Sequence, residues 1–417
     1  MFGLADCVSF YASCEKVFRP DLAQRPVIVL SNNDGCVVAR SPEAKAWIEM
    51  GAPFFQVKEL VKKHRIAVFS SNYALYASLS QRVMNIFRRF VAEVEVYSID
   101  ECFLNLSGYP LPLPQYARTM QQTVAQCTGI PTRIGIGPTK VLAKMANQLA
   151  RHEESGVLVL QTEADIQAAR QDFPIAKVWG IGPQYGRFLG ARGITTAQQF
   201  CQQSDVWLRK HLSVVGLRLA LELRGQSCLG LEEVVSKKSL CVSRSFAQAL
   251  TAYAPLKEKI ALFATRLGEK LRLQQSTPTL LSVFLRTDSF RPEQAQYRNS
   301  QTLRLPLATH YTPELVKAAF RALQIIYREG YAYRKAGVWV TGLVPEDQIQ
   351  GHLFLSNPAQ DKTQKALMQT LDALNARWGA RKVQLAALGT QPTLRARTEW
   401  LSPRYTTHWG EILKVRI

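Results

Sequence analysis

The sequence predicts a multidomain α+β chain that opens with a ferredoxin-like sheet. Three observations carry this expectation. Residues 1–165 read in the order βαββαβ, residues 166–233 read as short helices alone, and residues 240–345 return to mixed helix and strand. With 417 residues there is room for about two to four domains, and 47% hydrophobic residues suffice for several cores.

The first apolar run, Phe2 to Ala5, reads as a buried strand that ends at Asp6. Val27 to Leu30 is a second strand. The turn S-N-N-D-G and the stretch Val37 to Ala39 follow it, so residues 26–39 read as a hairpin. Residues 73–92 place Leu75, Leu79, Val83, Ile86, Phe87 and Phe90 at helical spacing. Val94 to Leu104 reads as two strands meeting at a turn that carries Asp100 and Glu101. A helix over 113–128, a strand over 133–137 and a helix over about 140–151, capped by Thr139, complete the module. Its helices are expected on one face of the sheet.

Beyond 166, Val178-Trp179-Gly180-Ile181-Gly182 lies between two short helices. Such a turn can expose consecutive N–H groups to a phosphate, or simply end a helix. Residues 226–243 read as a linker. Leu256, Ile260, Phe263, Leu267 and Leu271 mark an amphipathic helix; a strand near 279–287, a helix near 313–328 and a strand at Val338 to Val340 follow. Residues 346–417 read as an appended tail with one helix near 362–378.

The net charge is +20, which favours a polyanionic partner. The excess is concentrated: residues 234–345 hold 17 Lys+Arg against 6 Asp+Glu, a net +11, which points to a dedicated binding surface. Eight cysteines, none in C-x-x-C spacing, read as reduced thiols of a cytoplasmic protein. The start of the chain lacks the basic n-region of a signal peptide, and no run of 18 apolar residues could span a membrane.

Asp6 at a strand end and Asp100-Glu101 at a hairpin turn could meet if their strands are neighbours. Lone acids at strand ends are more often simply solvated. Three convergent carboxylates suit divalent cations, and phosphoryl transfer uses two.

The tracts D-C-V-S-F-Y-A-S-C-E (6–15), Y-S-I-D-E-C-F (97–103) and G-I-G-P-T-K-V-L-A-K-M-A-N (135–147) resemble, in order and spacing, the three active-site motifs of Y-family DNA polymerases. F-R-P-D-L (18–22), V-L-S-N-N-D-G-C-V-V-A-R (29–40), F-S-S-N-Y (69–73), W-G-I-G (179–182), L-R-G (223–225), S-R-S-F (243–246), K-A-G-V (335–338) and L-S-P-R-Y-T-T (401–407) are similar to the UmuC type, the catalytic subunits of bacterial DNA polymerase V. The resemblance covers the whole chain. It implies a right-hand architecture: a palm over 1–14 and 73–165, small fingers over 15–72, a helical thumb over 166–233, an α+β little finger over 240–345 and a tail over 346–417.

It also implies roles. Asp6, Asp100 and Glu101 fall on the metal-binding acids for two Mg²⁺ ions, with the carbonyl of Cys7 completing one ion's shell. Tyr11 falls on the steric gate that rejects a 2′-hydroxyl, beside Phe10 at the nucleotide. Lys45 and Arg151 fall on the triphosphate-binding cations. Gly180 and Gly182, with Lys237, Lys238, Arg244, Arg286 and Arg304, are the expected DNA contacts, and Gln350, Leu353 and Phe354 match a Q-x-x-L-F clamp-docking peptide.

Primer-template DNA, a deoxynucleoside triphosphate, a sliding clamp, a UmuD′-type accessory dimer and a RecA filament are the implied partners. The implied activity is error-prone bypass of damaged template bases in an SOS-type response. Three positions depart from the family pattern: Val8, where a polar residue is common; Pro42, where some relatives carry Tyr; and Arg151 in place of Lys. None removes an acid. A non-catalytic DNA- and clamp-binding adaptor of the same fold would lack some of the acids. A nucleotide cyclase on the same sheet would not need the basic domain.

Overall fold

The computed structural model describes residues 1–109, 112–232, 236–351, 358–379, 382–389 and 397–414, without the side chains of 358–361. Contacts divide the chain into two compact units, Met1–Glu233 with Arg397–Ile417, and Val234–Ala396. The segment expected as a single tail is therefore shared between them.

In the first unit, β1 (Phe2–Cys7) turns through Ser9, at φ 50°, into α1 (Phe10–Val17). There follow β2 (Val27–Leu30), β3 (Val37–Arg40), α2 (Phe54–Lys63), β4 (Ala67–Ser70) and α3 (Tyr73–Phe90). Next come β5 (Val94–Val96), β6 (Glu101–Asn105), α4 (Leu113–Thr128), β7 (Thr132–Gly137), α5 (Lys140–Leu149) and β8 (Val157–Val159). Helices α6 (Glu163–Gln171), α7 (Pro183–Gly190), α8 (Ala197–Cys201) and α9 (Asp205–Leu223) complete the unit.

The larger sheet has the order β5-β6-β1-β7-β8, the ferredoxin-like order extended by one parallel strand. Alternation sorts its side chains onto two faces. Ala5, Cys7, Cys102, Leu104, Ile134 and Ile136 pack against α3 and α4. Leu4 and Phe103 pack on the other face against Ala143 of α5. Those two faces correct the one-sided arrangement expected for the helices. Helix α5 crosses its face very closely: a Cβ on Gly135 would lie 2.0 Å from the backbone N of Asn147, so only glycine fits there. Asn147, buried, donates from its amide to the carbonyls of Leu4 and Arg133 and ties α5 to β1 and β7. Thr139 caps α5 by accepting from the N–H of Leu142, worth about 1 kcal/mol.

A smaller sheet, β3-β2-β4, carries α2 over its own core, with Ile28, Leu30, Val37, Ile48 and Phe54 buried. The expected hairpin is present, with β2 and β3 antiparallel, while β4 pairs with β2 in parallel.

The second unit holds β9 (Leu240–Leu250), α10 (Tyr253–Leu273), β10 (Ser276–Arg286), β11 (Arg298–Arg304), α11 (Thr312–Ile326), β12 (Tyr333–Pro345) and α12 (Pro358–Trp378). Its antiparallel sheet has the order β11-β10-β12-β9, with α10 and α11 packed on one face. The expected linker over 226–243 runs into β9. That strand was hidden because an edge strand with one wet face alternates Leu240, Val242 and Phe246 with Cys241, Ser243 and Ser245 and never forms an apolar run. All eight cysteines are free. Among the described residues, no helix is long and apolar enough to cross a membrane.

Candidate active site

Strand pairing assembles the acids. Asp6 on β1 is directly opposite Glu101 on β6 and, on its other side, opposite Arg133 on β7. Paired residues share a face, so all three project toward α5. Asp100 joins them from the β5–β6 turn, where its carbonyl accepts from the N–H of Cys7 at 2.9 Å. Ser98 builds that turn. Its hydroxyl donates to Asp100 Oδ1 at 2.5 Å and accepts from the N–H groups of Asp100 and Glu101. The Cys7 side chain points the opposite way into the core, where burial pushes its thiol far up; only its backbone faces the acids.

Each outer carboxylate has its own cation. Arg133 meets Asp6 at 2.6 Å and Lys144 of α5 meets Glu101 at 2.7 Å. Burial raises the Asp6 pKa, Arg133 opposes the rise, and repulsion from Glu101 and Asp100 adds to it. Glu101 and Asp100 are thus near enough to the partly buried Asp6 to repel its charge. Among the described residues, no group of three or more His, Cys, Asp or Glu side chains is drawn up to metal distance. The donor set nevertheless suits a hard divalent cation: two carboxylates on one sheet face and a third from the adjoining turn, two of them neutralised by flexible side chains that an ion could displace.

Beside Asp6 lies a cationic group. Burial pushes the Lys45 ammonium below the ordinary lysine value, Arg133, Arg151 and Arg40 add to the push, and Asp6 opposes it. The two cations expected from sequence, Lys45 and Arg151, are therefore brought together near the acids. Arg40 and Arg133, which the sequence reading passed over, belong to the same group. The Nε atoms of both are buried donors without a hydrogen-bond partner among the described residues. Their only sequence signal was a position on strands flanking the motifs.

Tyr11, half-buried at the start of α1, stacks on Tyr76 with ring centroids 4.4 Å apart at 15° and meets Tyr73 edge-on at 6.0 Å. Burial raises its phenol pKa, and Tyr73 and Asp100 add to the rise, so the ring borders the acids. Phe10 departs from expectation. The residue is only 3% exposed and its ring packs in the core under the sheet, so its side chain is withdrawn from any ligand.

Gly180, at φ 96°, and Gly182, the N-cap of α7, are both exposed and leave the first amides of α7 open. Trp179 of the same turn donates to the Tyr97 hydroxyl at 3.1 Å, and Lys144 lies 4.5 Å over the Tyr97 ring.

In the second unit, strand register sorts the expected DNA contacts. Arg286 pairs with Arg298 on one side and Lys335 on the other, a row of three cations across three strands. The neighbouring positions Leu281, Val283 and Leu285 face the helices, so the row lies on the face without helices, where Arg304 also projects. Arg298 and Lys335 were not singled out from sequence; their register was invisible there. Arg244 pairs with Ala336, whose side chain is in the helix-side core, so Arg244 points to the opposite face from Arg286. Lys237 and Lys238 are exposed ahead of β9. Of the expected clamp peptide, Gln350 is exposed, while Leu353 and Phe354 lie outside the described residues.

The impB/mucB/samB family model matches residues 5–148, and its C-terminal domain matches residues 237–353. A domain of unknown function, DUF4113, matches residues 365–415. Protein ImpB of Salmonella typhimurium is 42% identical over 425 residues, covering 100% of both chains. Protein UmuC of the same species is 40% identical over 423 residues, again covering 100% of both. DNA polymerase IV of Moorella thermoacetica is 30% identical over 396 residues, 92% of this chain and 94% of that one. A solved Y-family DNA polymerase chimera of Dbh and Dpo4 shares the fold, with a TM-score of 0.67 at 18% identity over 83% of this chain and 100% of that one. With its full length covered at such identity, the chain belongs to the impB/mucB/samB family and is a UmuC-type member of the Y-family polymerases.

Proposed function

We propose that the chain is an error-prone translesion DNA polymerase that extends a primer 3′-hydroxyl opposite damaged template bases in an SOS-type response. The observation that carries this reading is the register pair Asp6–Glu101, with Asp100 beside it and the Lys45, Arg133, Arg151 cations adjoining. Relatives named UmuC and DNA polymerase IV support it.

Asp6, Asp100, Glu101 and the Cys7 carbonyl would hold two Mg²⁺ ions. Bound there, the ions would acidify the primer hydroxyl and neutralise charge on the triphosphate. The rest falls to the chain's own groups. Lys45 and Arg151 bind the β and γ phosphates, and take up the charge of the departing pyrophosphate as the new O–P bond forms. The backbone at Phe10, at the start of α1, adds amide donors to the same phosphates. Tyr11 walls off the sugar so that a 2′-hydroxyl collides with its ring.

The amides at Gly180 and Gly182 take a primer-strand phosphate. Arg286 and Arg304, with Arg298 and Lys335, follow the duplex backbone; Lys237, Lys238 and Arg244 add charge outside that face. Gln350, Leu353 and Phe354 dock a sliding clamp. A UmuD′-type dimer and a RecA filament are partners by family analogy alone.

The test is primer extension past an abasic site with Mg²⁺, clamp, accessory dimer and RecA filament, wild type against Asp100→Ala. Extension by the wild type alone supports the reading. Equal extension by both removes Asp100 from the chemistry, and extension by neither leaves the adaptor.

A further inference from the structure

Three sequence tracts unused by the site converge at one place in the first unit: S-N-N-D-G (31–35), S-S-N-Y (70–73) and L-S-P-R-Y (401–405). The C-terminal residues 397–405 lie as a strap along the edge of β4. The N–H of Arg397 donates to Asn33 Oδ1 at 3.2 Å, that of Glu399 to Asp34 Oδ2 at 2.9 Å, and that of Trp400 to Ser70 Oγ at 3.1 Å. The N–H of Ser70 returns a bond to the Trp400 carbonyl at 2.9 Å, which forms a parallel bridge between Ser70 and Leu401. The Asn72 amide donates to the carbonyl and hydroxyl of Ser402, each at 3.0 Å. Tyr405 stacks on Phe18 at 4.5 Å. Asn33 and Asp34 both hold left-handed φ values, 62° and 52°, a conformation these two residue types adopt more readily than other non-glycine residues, and both side chains accept from strap N–H groups.

From Ser402 the chain of hydrogen bonds runs inward. Its hydroxyl donates to Glu15 Oε1 at 3.0 Å, and the Tyr76 hydroxyl donates to the same oxygen at 2.6 Å. Glu15 is fully buried. The Tyr76 ring, also fully buried, is the surface on which Tyr11 stacks. Tyr76 is therefore held at one end by Glu15, Glu15 is held by the strap, and the free face of Tyr76 sets where the Tyr11 ring lies.

We infer that residues 397–405 form a positioning strap for the sugar gate, with Ser402, Glu15 and Tyr76 as positioning residues that act through Tyr11. The domain of unknown function that covers this segment thereby acquires a role in deoxyribose selection by the same polypeptide. The inference rests on the reading of Tyr11 as the gate. Selection by a steric wall is sensitive to small displacements of that wall, so loosening the support admits the larger sugar before it slows the smaller one.

The experiment compares kcat/KM for a deoxyribonucleotide and the matching ribonucleotide on an undamaged template, using the full chain with its accessory proteins. Tyr76→Phe keeps the stacking ring and removes only the hydroxyl, and Ser402→Ala removes the strap's donor to Glu15 with one of the acceptors of Asn72. Each should raise the ribo-to-deoxyribo ratio by about fivefold or more, the worth of one lost ordinary hydrogen bond, with the deoxyribonucleotide rate little changed. Ser402→Thr, which keeps a hydroxyl, should retain the wild-type ratio. A ratio unchanged in Tyr76→Phe and Ser402→Ala, while Tyr11→Ala raises it, would show that the strap is structural only. A ratio unchanged in Tyr11→Ala would overturn the gate itself and the inference with it. Equal losses for both sugars, without a change in ratio, would also reject positioning.

Discussion

Glu101 stands directly opposite Asp6 across β1 and β6, and their two carboxylates are neutralised from different elements, Asp6 by Arg133 of β7 and Glu101 by Lys144 of α5. The pairing places two acids on one face without any loop to position them. The cations hold a site in which like charges would otherwise repel. Substitution of Glu101 by Gln should lower single-turnover primer extension by at least about 10²-fold, while far-UV circular dichroism stays unchanged. Retained extension would take Glu101 out of the chemistry.

The stack of Tyr11 on Tyr76 predicts a sugar-specific effect. Tyr11→Ala should raise ribonucleotide incorporation by roughly 10²-fold relative to deoxyribonucleotide, the scale on which a steric pocket discriminates one hydroxyl. Steady-state kinetics with both sugars checks it.

The row Arg298–Arg286–Lys335 places like charges side by side on a sheet, an arrangement that costs stability unless an anion joins it. Arg286→Ala with Lys335→Ala should weaken primer-template binding. The same pair should flatten the plot of log affinity against log salt by about 0.9 for each phosphate no longer neutralised. An unchanged slope in fluorescence anisotropy titrations would place the duplex elsewhere.

Glu15 makes stability depend on pH. Burial raises its pKa from 4.5 to about 7, against the pull of the Tyr76 and Ser402 hydroxyls; Cys14 and Tyr405 are its other titratable neighbours. Between those two values the folded chain binds more protons than the unfolded one, so this group favours folding at low pH. Its contribution is lost as pH rises from 4.5 through about 7. Glu15→Gln should flatten the fall in denaturant midpoint across that window; the same slope in both proteins would show that another group titrates there.

Gly135→Ala tests the close passage of α5. The added carbon would lie 2.0 Å from the backbone N of Asn147 and 2.5 Å from the carbonyl of Ala143, atoms that cannot move aside without the helix. The variant should lose about 1–3 kcal/mol or more of stability in urea unfolding. A full-strength variant would mean that α5 shifts freely.

The elements that bury a periodic stripe were legible from the residues alone. Helix α3 was readable from Leu75, Leu79, Val83 and Phe87, α5 from its Thr139 cap, and β1 from an apolar run that stops at Asp6. These features repeat within a few residues, where side-chain period and local hydrogen bonding are the governing physics. The acids, Tyr11, Lys45 and Arg151 were singled out by the motif resemblance instead. Partnership across the chain was decided only by the fold. Strand register set Asp6 against Glu101, Arg133 against Asp6, and Arg286 between Arg298 and Lys335, while turning Arg244 to the other face. Close packing put the Phe10 ring in the core, and the return of the chain end carried Ser402 to Glu15. Register and return depend on which surfaces bury together across hundreds of residues, and no local spacing in the sequence encodes that choice.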